Sequence, residues 1–504
     1  MDVDPYLKES GFVTIPLGDC ELVSNEKTDD SEKKEDDQKV STIRRLIPQL
    51  LAVTAKNTLA LNFGLSIGFP TILIPDLKSP DSSIKLTTEQ LSWLGSLFFI
   101  IIPFGCLLSG PMIHKFGRRR VMIILCIPFC FAWWIFHAAE SPTVLFLAVT
   151  MHGLVNGLLE APILTYVAEV CEARWRGTLA STSVLSSLLG VSLQFLLGTL
   201  LPWRQAALLN IAFPILSFVS LLFVPESPHW LAAMGREKDA EKALQWLRGW
   251  TTPKNVKEEL DELMMTLHGP KKQASPFTWA PYLNRAFLRP FGLVVASFFI
   301  GHFTGMSTLQ TYAIVIFDAM ESPVDSHVAT TVEGFIQLSG ALLCVLILPH
   351  TGRRKLAILC TTGTGICLAG LVFSTNGWLS MLLLLLAVFL LNTCSKVFPW
   401  VLIGEVFGPD VRAVASGIAS CIGYAMGFLV NKTFFQSVDL LTLRGVFGLY
   451  AALSIGGAIL YYFTLPETEG RSLEEVQQHF KGESNLVKNT KKGQVNVAFE
   501  RENP

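Results

Sequence analysis

The chain has 504 residues, of which 50% are hydrophobic and only 16% are charged, and its formal net charge is −1 at pH 7. Its mean hydropathy of +0.45 exceeds what a water-soluble core requires, and the apolar residues fall in long blocks. The near-zero charge argues against nucleic acid as a partner, because no basic surplus is present to neutralise phosphates. We therefore predict a polytopic protein whose main surroundings are the lipid bilayer.

Residues 1–45 precede the apolar blocks and are acidic and rich in lysine. They lack the apolar core of a cleavable signal peptide, and they contain too little apolar surface to support a folded domain. We predict a disordered cytoplasmic tail.

Twelve apolar blocks follow, each long enough to cross about 30 Å of hydrocarbon. If both termini are cytoplasmic, lysine and arginine concentrate in the inner loops, as the positive-inside rule requires. The sequence predicts an all-α protein with twelve transmembrane helices that crosses the plasma membrane repeatedly. The spans are expected at 46–74, 89–112, 120–138, 143–170, 178–201, 205–224, 288–317, 328–349, 355–374, 378–407, 413–434 and 445–465.

The segment 226–287 interrupts the spans and shows the apolar period of soluble helices. We predict short cytoplasmic helices here, between six-helix bundles at 46–225 and 288–467; a plain linker with incidental helicity is the alternative. Residues 468–504 are expected to form a cytoplasmic C-terminal tail. The apolar stripes comprise Ala240, Leu244 and Leu247, then Val256, Leu260, Leu263 and Leu267.

Three charged motifs occur twice, in the same order. Gly-Arg-Arg-Arg at 117–120 is repeated as Gly-Arg-Arg-Lys at 352–355, and Pro-Glu-Ser at 225–227 as Pro-Glu-Thr at 466–468. Between them, Glu169 with Arg176 is matched by Glu405 with Arg412. Each motif lies at the cytoplasmic end of a predicted span. Parallel six-helix pseudo-repeats with a substrate site between them are typical of secondary transporters.

Seven motifs between residues 51 and 480 carry a family resemblance. They are G-P-M-I-H-K-F-G-R-R-R (110–120), E-V-C-E-A-R-W-R (169–176), P-E-S-P-H-W-L (225–231), T-G-R-R-K (351–355), F-P-W (398–400), E-V-F-G-P-D-V-R (405–412) and P-E-T-E-G (466–470). The set resembles the sugar porters of the major facilitator superfamily, and the run 157–169 is most similar to the insect facilitated trehalose transporters. The resemblance implies the major facilitator fold, alternating access and a sugar substrate.

Charged groups at the cytoplasmic helix ends form a predicted gate. They can form ion pairs when that side is closed and become separately hydrated when it opens. Each exposed ion pair stabilises by roughly 0–1 kcal/mol, but a network of pairs can bias an equilibrium between two conformations. The alternative is that these charges only set topology. The gate residues are Arg118, Arg119, Glu169, Arg176, Glu226, Arg353, Arg354, Glu405, Arg412 and Glu467.

The resemblance also implies positions that bind substrate. Gln194 matches a glutamine that contacts sugar, and Trp400 matches a tryptophan that stacks on the sugar ring. Several family amides are replaced, which should weaken hexose binding or redirect it. Pro399 should kink or unwind its helix, because it lacks a backbone N–H. The predicted binding residues are Gln194, His302, Ser307, Gln337, Asn392, Lys396 and Trp400, the last three spaced four apart on one helix face.

Three charged residues lie deep within apolar blocks: Lys56, Glu160 and Lys396. An isolated charge at such depth costs on the order of 3 kcal/mol, so each should face water or a partner. We hypothesise that Glu160 pairs with Lys56 and that Lys396 meets the substrate; the alternative is that all three neutralise one another structurally.

Proton-driven relatives in this family carry an aspartate in the first span, where this chain has Ser66. Serine does not titrate near neutral pH, so we predict uniport, with His302 as the one residue that leaves proton coupling open. The chain lacks catalytic constellations and metal-ligand spacings, so we predict no enzyme activity and no cofactor. A transporter of a different, anionic solute and a sugar sensor that does not transport remain as alternatives.

Overall fold

The computed structural model describes residues 41–268, 284–396, 398–469, 471, 473–482 and 486, and all regular secondary structure in them is helical. Most of the two predicted tails and residues 269–283 of the linker lie outside these residues. The first half of the molecule is defined as its first seven helices. They are α1 (Thr42–Lys78), α2 (Thr88–Phe116), α3 (Arg118–His137), α4 (Pro142–Val170), α5 (Ala173–Leu200), α6 (Trp203–Asn210) and α7 (Ala212–Leu222).

Local sequence explains where α2 begins and ends. Thr87 and Gln90 form a capping box, in which each side chain bonds to the other residue's backbone N–H. At the other end, Gly117 has a φ of 91° and separates α2 from α3 by a single residue. A residue with a side chain is strained in that conformation, so the sharp turn requires glycine.

Glycines also let the long helices approach closely. A Cβ on Gly157 of α4 would lie 2.2 Å from the carbonyl oxygen of Ile102 in α2, and one on Gly64 of α1 would overlap the carbonyl of Ser187 in α5. These helix pairs therefore pack backbone against backbone, which places α1, α4 and α5 around a common interior.

Three short helices lie in the segment between the halves: α8 (Pro228–Ala233), α9 (Glu237–Leu247) and α10 (Pro253–His268). Trp230 and Leu231 of α8 pack with Ala240 and Ala243 of α9 in a small separate core. The apolar stripe of α10 covers this core through Leu260, Leu263 and Leu267. The linker helices thus have a hydrophobic core of their own.

The second half is defined as α11 to α17. Two π-helical segments interrupt it: His302–Met306 joins α11 to α12, and Leu391–Ser395 follows α15. The helices are α11 (Arg285–Gly301), α12 (Ser307–Ala319), α13 (Ser326–Thr351), α14 (Arg353–Phe373), α15 (Gly377–Leu390), α16 (Phe398–Val406) and α17 (Pro409–Thr464), with α18 (Leu473–Lys481) after them.

Eleven helical segments of the described chain are long and apolar enough to cross a membrane. The last of them belongs to α17, whose 56 residues would extend about 84 Å if straight, far more than a bilayer core of about 30 Å. Thr442, with a φ of 63° and a ψ of 164°, breaks the helix with a kink. Thr442 lies between the last two predicted spans, 413–434 and 445–465, which the structure joins in one kinked helix.

Candidate functional site: a central cavity between the two halves

The repeated Pro-Glu motif caps the helix that follows the Gly-Arg-Arg turn. Glu226 accepts hydrogen bonds from the backbone N–H groups of Arg118 at 3.0 Å, Arg119 at 2.8 Å and Arg120 at 3.2 Å. These are N–H groups of the first turn of α3, which have no partner inside the helix. The carboxylate also lies at the positive end of the α3 dipole. Glu226 therefore fastens the end of the first half to the start of α3.

The second half repeats this contact. Glu467 accepts from the backbone N–H groups of Arg353 at 2.9 Å and Arg354 at 3.3 Å, at the start of α14. Gly352 has a φ of 80° in the place of Gly117. A Cβ would lie 2.7 Å from Glu467 at Gly352 and 2.6 Å from Glu226 at Gly117. The side of the molecule that carries these motifs is called the motif side below, and the other end of the helices the opposite side.

The arginine–glutamate pairs of the predicted gate lie within single halves. Arg118 pairs with Glu169 at 2.8 Å, and Arg353 contacts Glu405 in the second half. Ser227 donates a hydrogen bond to Glu169 as well. In this conformation each glutamate has its partner in the same half. The separation of these charges into water when their side opens stays a prediction.

The described hydrogen bonds of Arg176 and Arg412 are to backbone carbonyl groups. The Arg176 guanidinium lies 3.5 Å from the carbonyl oxygen of Cys171, and that of Arg412 lies 3.0 Å from the carbonyl oxygen of Phe407. Both carbonyls lie five residues earlier in the chain. The two arginines thus order equivalent loops, at the starts of α5 and α17.

Hydrogen bonds between the two halves are found on the opposite side. Thr199 near the end of α5 bonds to the carbonyl of His327 at 3.0 Å and to the hydroxyl of Thr331 at 2.8 Å, both in α13. Ser192 donates to the carbonyl of Gly334 at 2.7 Å. Lys432 of α17 donates to Ser92 near the start of α2 at 2.8 Å. These contacts close the opposite side around the interior.

Between the halves lies a cavity of about 290 Å³. That volume is close to the lower end of pockets that bury small molecules, roughly 300–1,000 Å³. Most of the wall is apolar. Its lining comprises Ala60, Phe63, Ile67, Phe99, Asn156, Leu159, Glu160, Ile163, Leu164, Ser183, Val184, Ser187, Leu188, Phe298, Gly301, His302, Met306, Ser307, Gln310, Ser395, Lys396, Pro399, Trp400, Gly423 and Tyr424.

The cavity includes some of the predicted binding residues and excludes others. His302, Ser307, Lys396 and Trp400 line it, and the imidazole Nδ1 of His302 lies 2.6 Å from the Ser307 hydroxyl. Their role in binding stays a prediction. Gln194 is fully buried instead between α5 and α6, where its side-chain oxygen accepts from the amide of Asn210 at 2.7 Å.

The expectation that Asn392, Lys396 and Trp400 share one helix face is wrong. The π-helical turn Leu391–Ser395 adds a residue to the register, and the N–H of Lys396 bonds to the carbonyl five residues back, at Leu391. The Asn392 amide bonds within its own helix, to the carbonyl of Val388 at 2.9 Å, and does not line the cavity. The helix resumes at Phe398, consistent with the interruption expected from Pro399.

Lys396 is connected to a buried carboxylate that the sequence analysis missed. Its ammonium donates to the side-chain oxygen of Gln310 at 3.3 Å. The Gln310 amide donates to Gln337 at 3.4 Å, and the Gln337 amide donates to Glu333 at 3.0 Å. An ammonium only donates and a carboxylate only accepts, so the two amides point in one consistent direction. Gln337 therefore lies behind Gln310 and does not itself line the cavity.

The hypothesis that Glu160 pairs with Lys56 is wrong. Lys56 is fully buried in the first half and donates to the hydroxyl of Ser183. Glu160 accepts instead from the phenol of Tyr424 at 2.9 Å and from the thiol of Cys106 at 3.1 Å. Tyr424 belongs to the second half, so its hydrogen bond with Glu160 joins the halves at the cavity.

Aromatic rings form the wall beside Glu160. The ring of Trp400 lies 5.2 Å from that of Phe298 in an edge-on arrangement and 5.8 Å from that of Tyr424. Phe63 and Phe99 complete the aromatic part of the lining. The cavity thus combines aromatic faces with one carboxylate and one ammonium.

These features define an all-helical integral membrane protein with a small-molecule cavity between two halves. The family model described as "Sugar (and other) transporter" matches residues 24–480. The chain therefore belongs to the sugar transporter family, the sugar porters of the major facilitator superfamily.

Similar proteins agree with this membership. The facilitated trehalose transporter Tret1 of Bombyx mori is 25% identical over 470 residues, covering 91% of this chain and 92% of the relative. The protein of the same name from Apis mellifera ligustica is 26% identical over 449 residues, covering 87% and 89%. Among solved structures, the xylose transporter XylE from E. coli in its inward open conformation superposes with a TM-score of 0.69 at 20% identity, covering 85% of this chain and 98% of that one.

Proposed function

We propose that this protein moves a sugar, such as trehalose or a hexose, across the plasma membrane by alternating access. One observation carries the proposal: the cavity lies between the halves, and the inter-half hydrogen bonds of the described residues beyond the cavity, such as Thr199 with Thr331, are found on the opposite side. Two rigid halves that rock about such a cavity expose it to each side of the membrane in turn.

The proposal includes twelve membrane-spanning helices in two six-helix pseudo-repeats. The matched contacts of Glu226 with α3 and Glu467 with α14 support the repeat, and the kink at Thr442 supports two spans within α17. Since arginine and lysine cluster on the motif side, the positive-inside rule makes that side cytoplasmic, with both termini there. The conformation described above is then inward-facing.

We infer that His302, Ser307, Lys396 and Trp400 contact the sugar. They converge on the cavity from the π-helical segments and the residues just after them, and Trp400 offers a ring face for stacking. Alcohol and ammonium groups supply hydrogen bonds to sugar hydroxyls. The named function of the Tret1 relatives supports trehalose as a first substrate to test.

Uniport is the proposed mode of transport. The Ser66 hydroxyl donates to the carbonyl of Asn62 at 3.0 Å and so serves its own helix. An anionic solute receives less support, because the charge of Lys396 has a buried counterpart in Glu333, at the other end of the hydrogen-bonded chain through Gln310 and Gln337.

Counterflow uptake into proteoliposomes tests the proposal. Purified protein is reconstituted with unlabelled solute inside, and labelled trehalose, hexoses and organic acids are offered outside. Saturable uptake of a sugar without any change of internal pH is the expected result. Binding without uptake would favour the sensor alternative, and uptake that alkalinises or acidifies the vesicle would contradict uniport.

A further inference from the structure

The charge balance of the cavity leaves one group uncompensated. Among the described lining residues, Glu160 and Lys396 carry the formal charges. Lys396 is connected through two amides to Glu333, which is fully buried. The ammonium of Lys396 therefore has a negative counterpart, Glu333, behind the cavity wall. Glu160 has no described cation within 4.0 Å.

The partners of Glu160 are neutral. The phenol of Tyr424 and the thiol of Cys106 both donate to the same carboxylate oxygen, Oε2. Lys56, the partner predicted from the sequence, donates to Ser183 instead. A carboxylate in apolar surroundings is costly unless a positive charge or a proton neutralises it. A neutral sugar supplies neither.

The surroundings of Glu160 suit a cation with an apolar body. Phe298, Trp400 and Tyr424 form a continuous aromatic wall beside it, and the Tyr424 ring carries the hydroxyl that touches the carboxylate. Aromatic faces attract organic cations, most strongly when water is excluded. A proton would also neutralise Glu160, but an organic cation would contact these aromatic faces at the same time.

We propose that the central cavity also binds an organic cation, a protonated amine or quaternary ammonium with an apolar or aromatic body. The positive group contacts Glu160, and the apolar body lies against Phe298 and Trp400. This ligand class goes beyond the proposed sugar transport in the same cavity.

Equilibrium binding in nanodiscs tests this without requiring transport, so a negative result leaves the sugar proposal standing. The probes are 2-phenylethylamine, its neutral counterpart 2-phenylethanol, and tetraethylammonium, which has no proton to give. We expect the native chain to bind the amine at least about tenfold more tightly than the alcohol, and tetraethylammonium to compete with it. Equal affinity for amine and alcohol would overturn the proposal.

Substitutions assign the effect to one carboxylate. Glu160→Gln should remove the preference for the amine and leave binding of the alcohol unchanged, while Glu140→Gln, at an exposed position on the opposite side, should bind like the native chain. A preference that persists in Glu160→Gln contradicts the proposal. The proposal is also contradicted if amine binding changes with the protonation state of Glu160 and tetraethylammonium does not compete. Glu160 would then be a site for a proton.

A second variant covers the case in which Glu160→Gln does not fold. Tyr424→Phe removes one of the two donors that compete for the carboxylate. It should therefore raise amine affinity severalfold and leave 2-phenylethanol unaffected. Unchanged or weaker amine binding in this variant would count against the assignment.

Discussion

Lys396 and Glu333 lie at the two ends of one hydrogen-bonded chain that passes through Gln310 and Gln337. The chain crosses the interior of the second half from a π-helical break to α13. The two charges do not contact each other directly. The two amides between them provide the hydrogen bonds that link the ammonium to the carboxylate. This arrangement makes the four residues one unit, whose members should not tolerate substitution independently.

A double-mutant cycle tests this unit. Glu333→Gln and Lys396→Met should each destabilise the protein by on the order of 3 kcal/mol, because each leaves one buried charge uncompensated. The double variant should be destabilised by clearly less than the sum of the two, since both charges are gone. The measurement is the temperature at which the purified protein loses its monodisperse peak in size-exclusion chromatography. Additive losses would mean that the chain does not couple the residues.

The glutamates of the two Pro-Glu motifs should stabilise the two halves to a similar extent. Glu226→Ala removes the acceptor of three backbone N–H groups at the start of α3 and should cost about 1–2 kcal/mol of stability. Glu467→Ala should have a similar effect on α14. Thermal melts of the two variants, with exposed Glu140→Ala as the control, make the comparison. A neutral result in one half alone would show that the two caps are not equivalent.

Gly117 provides a test of backbone geometry with a matched control in the neighbouring helix. Gly117→Ala introduces a Cβ at a φ of 91° and 2.6 Å from Glu226, so a loss of about 2 kcal/mol or more is expected. Gly110→Ala, whose Cβ would meet open space in α2, should be neutral or slightly stabilising. Equal melting temperatures for the two variants would contradict the assigned strain.

A cross-link on the opposite side tests alternating access. Thr199 and Thr331 have their hydroxyl oxygens 2.8 Å apart, so cysteines at both positions should form a disulfide on oxidation and hold the halves together there. We expect the oxidised double variant to lose sugar uptake and to recover it on reduction. Full uptake by the cross-linked protein would be incompatible with a rocking motion that opens this side.

The single variants and the native thiols serve as controls for the cross-link. Thr199→Cys alone should keep its activity under oxidation. Burial raises the pKa of the native Cys171 thiol, in the loop between α4 and α5, to about 11, so it remains protonated and reacts slowly.

Sequence patterns predicted the parts of the fold that depend on hydropathy and repeated motifs. The apolar blocks correspond to the long helices, and Pro399 lies where a helix is interrupted. Between the predicted spans 413–434 and 445–465, however, α17 continues without a loop and is broken only by the kink at Thr442. Hydropathy and proline chemistry act locally, which is why one sequence suffices to detect them.

Side-chain partners across the interior were less predictable. Glu333 lies five residues after the predicted start of its span, where a carboxylate is usually taken to face the membrane surface. The one-residue shift produced by Leu391–Ser395 turned Asn392 away from the cavity, and four-residue spacing cannot reveal such a shift. Lys56 and Glu160 are of opposite sign and similar depth, yet only packing decided that Ser183 and Tyr424 would be their partners.

The arginine–glutamate pairs of the motif side remain inside their own halves, whereas the halves meet on the opposite side mainly through hydroxyl groups such as those of Ser192 and Thr199. Neutral hydrogen bonds are barely screened by dissolved ions, and paired charges that move together as one body contribute little to the difference between states. The described ionic contact between the halves on that side, Lys432 with Glu89 at 3.9 Å, is long and involves an exposed carboxylate, so it adds little. The balance between the two orientations of the transporter should therefore depend only weakly on salt concentration.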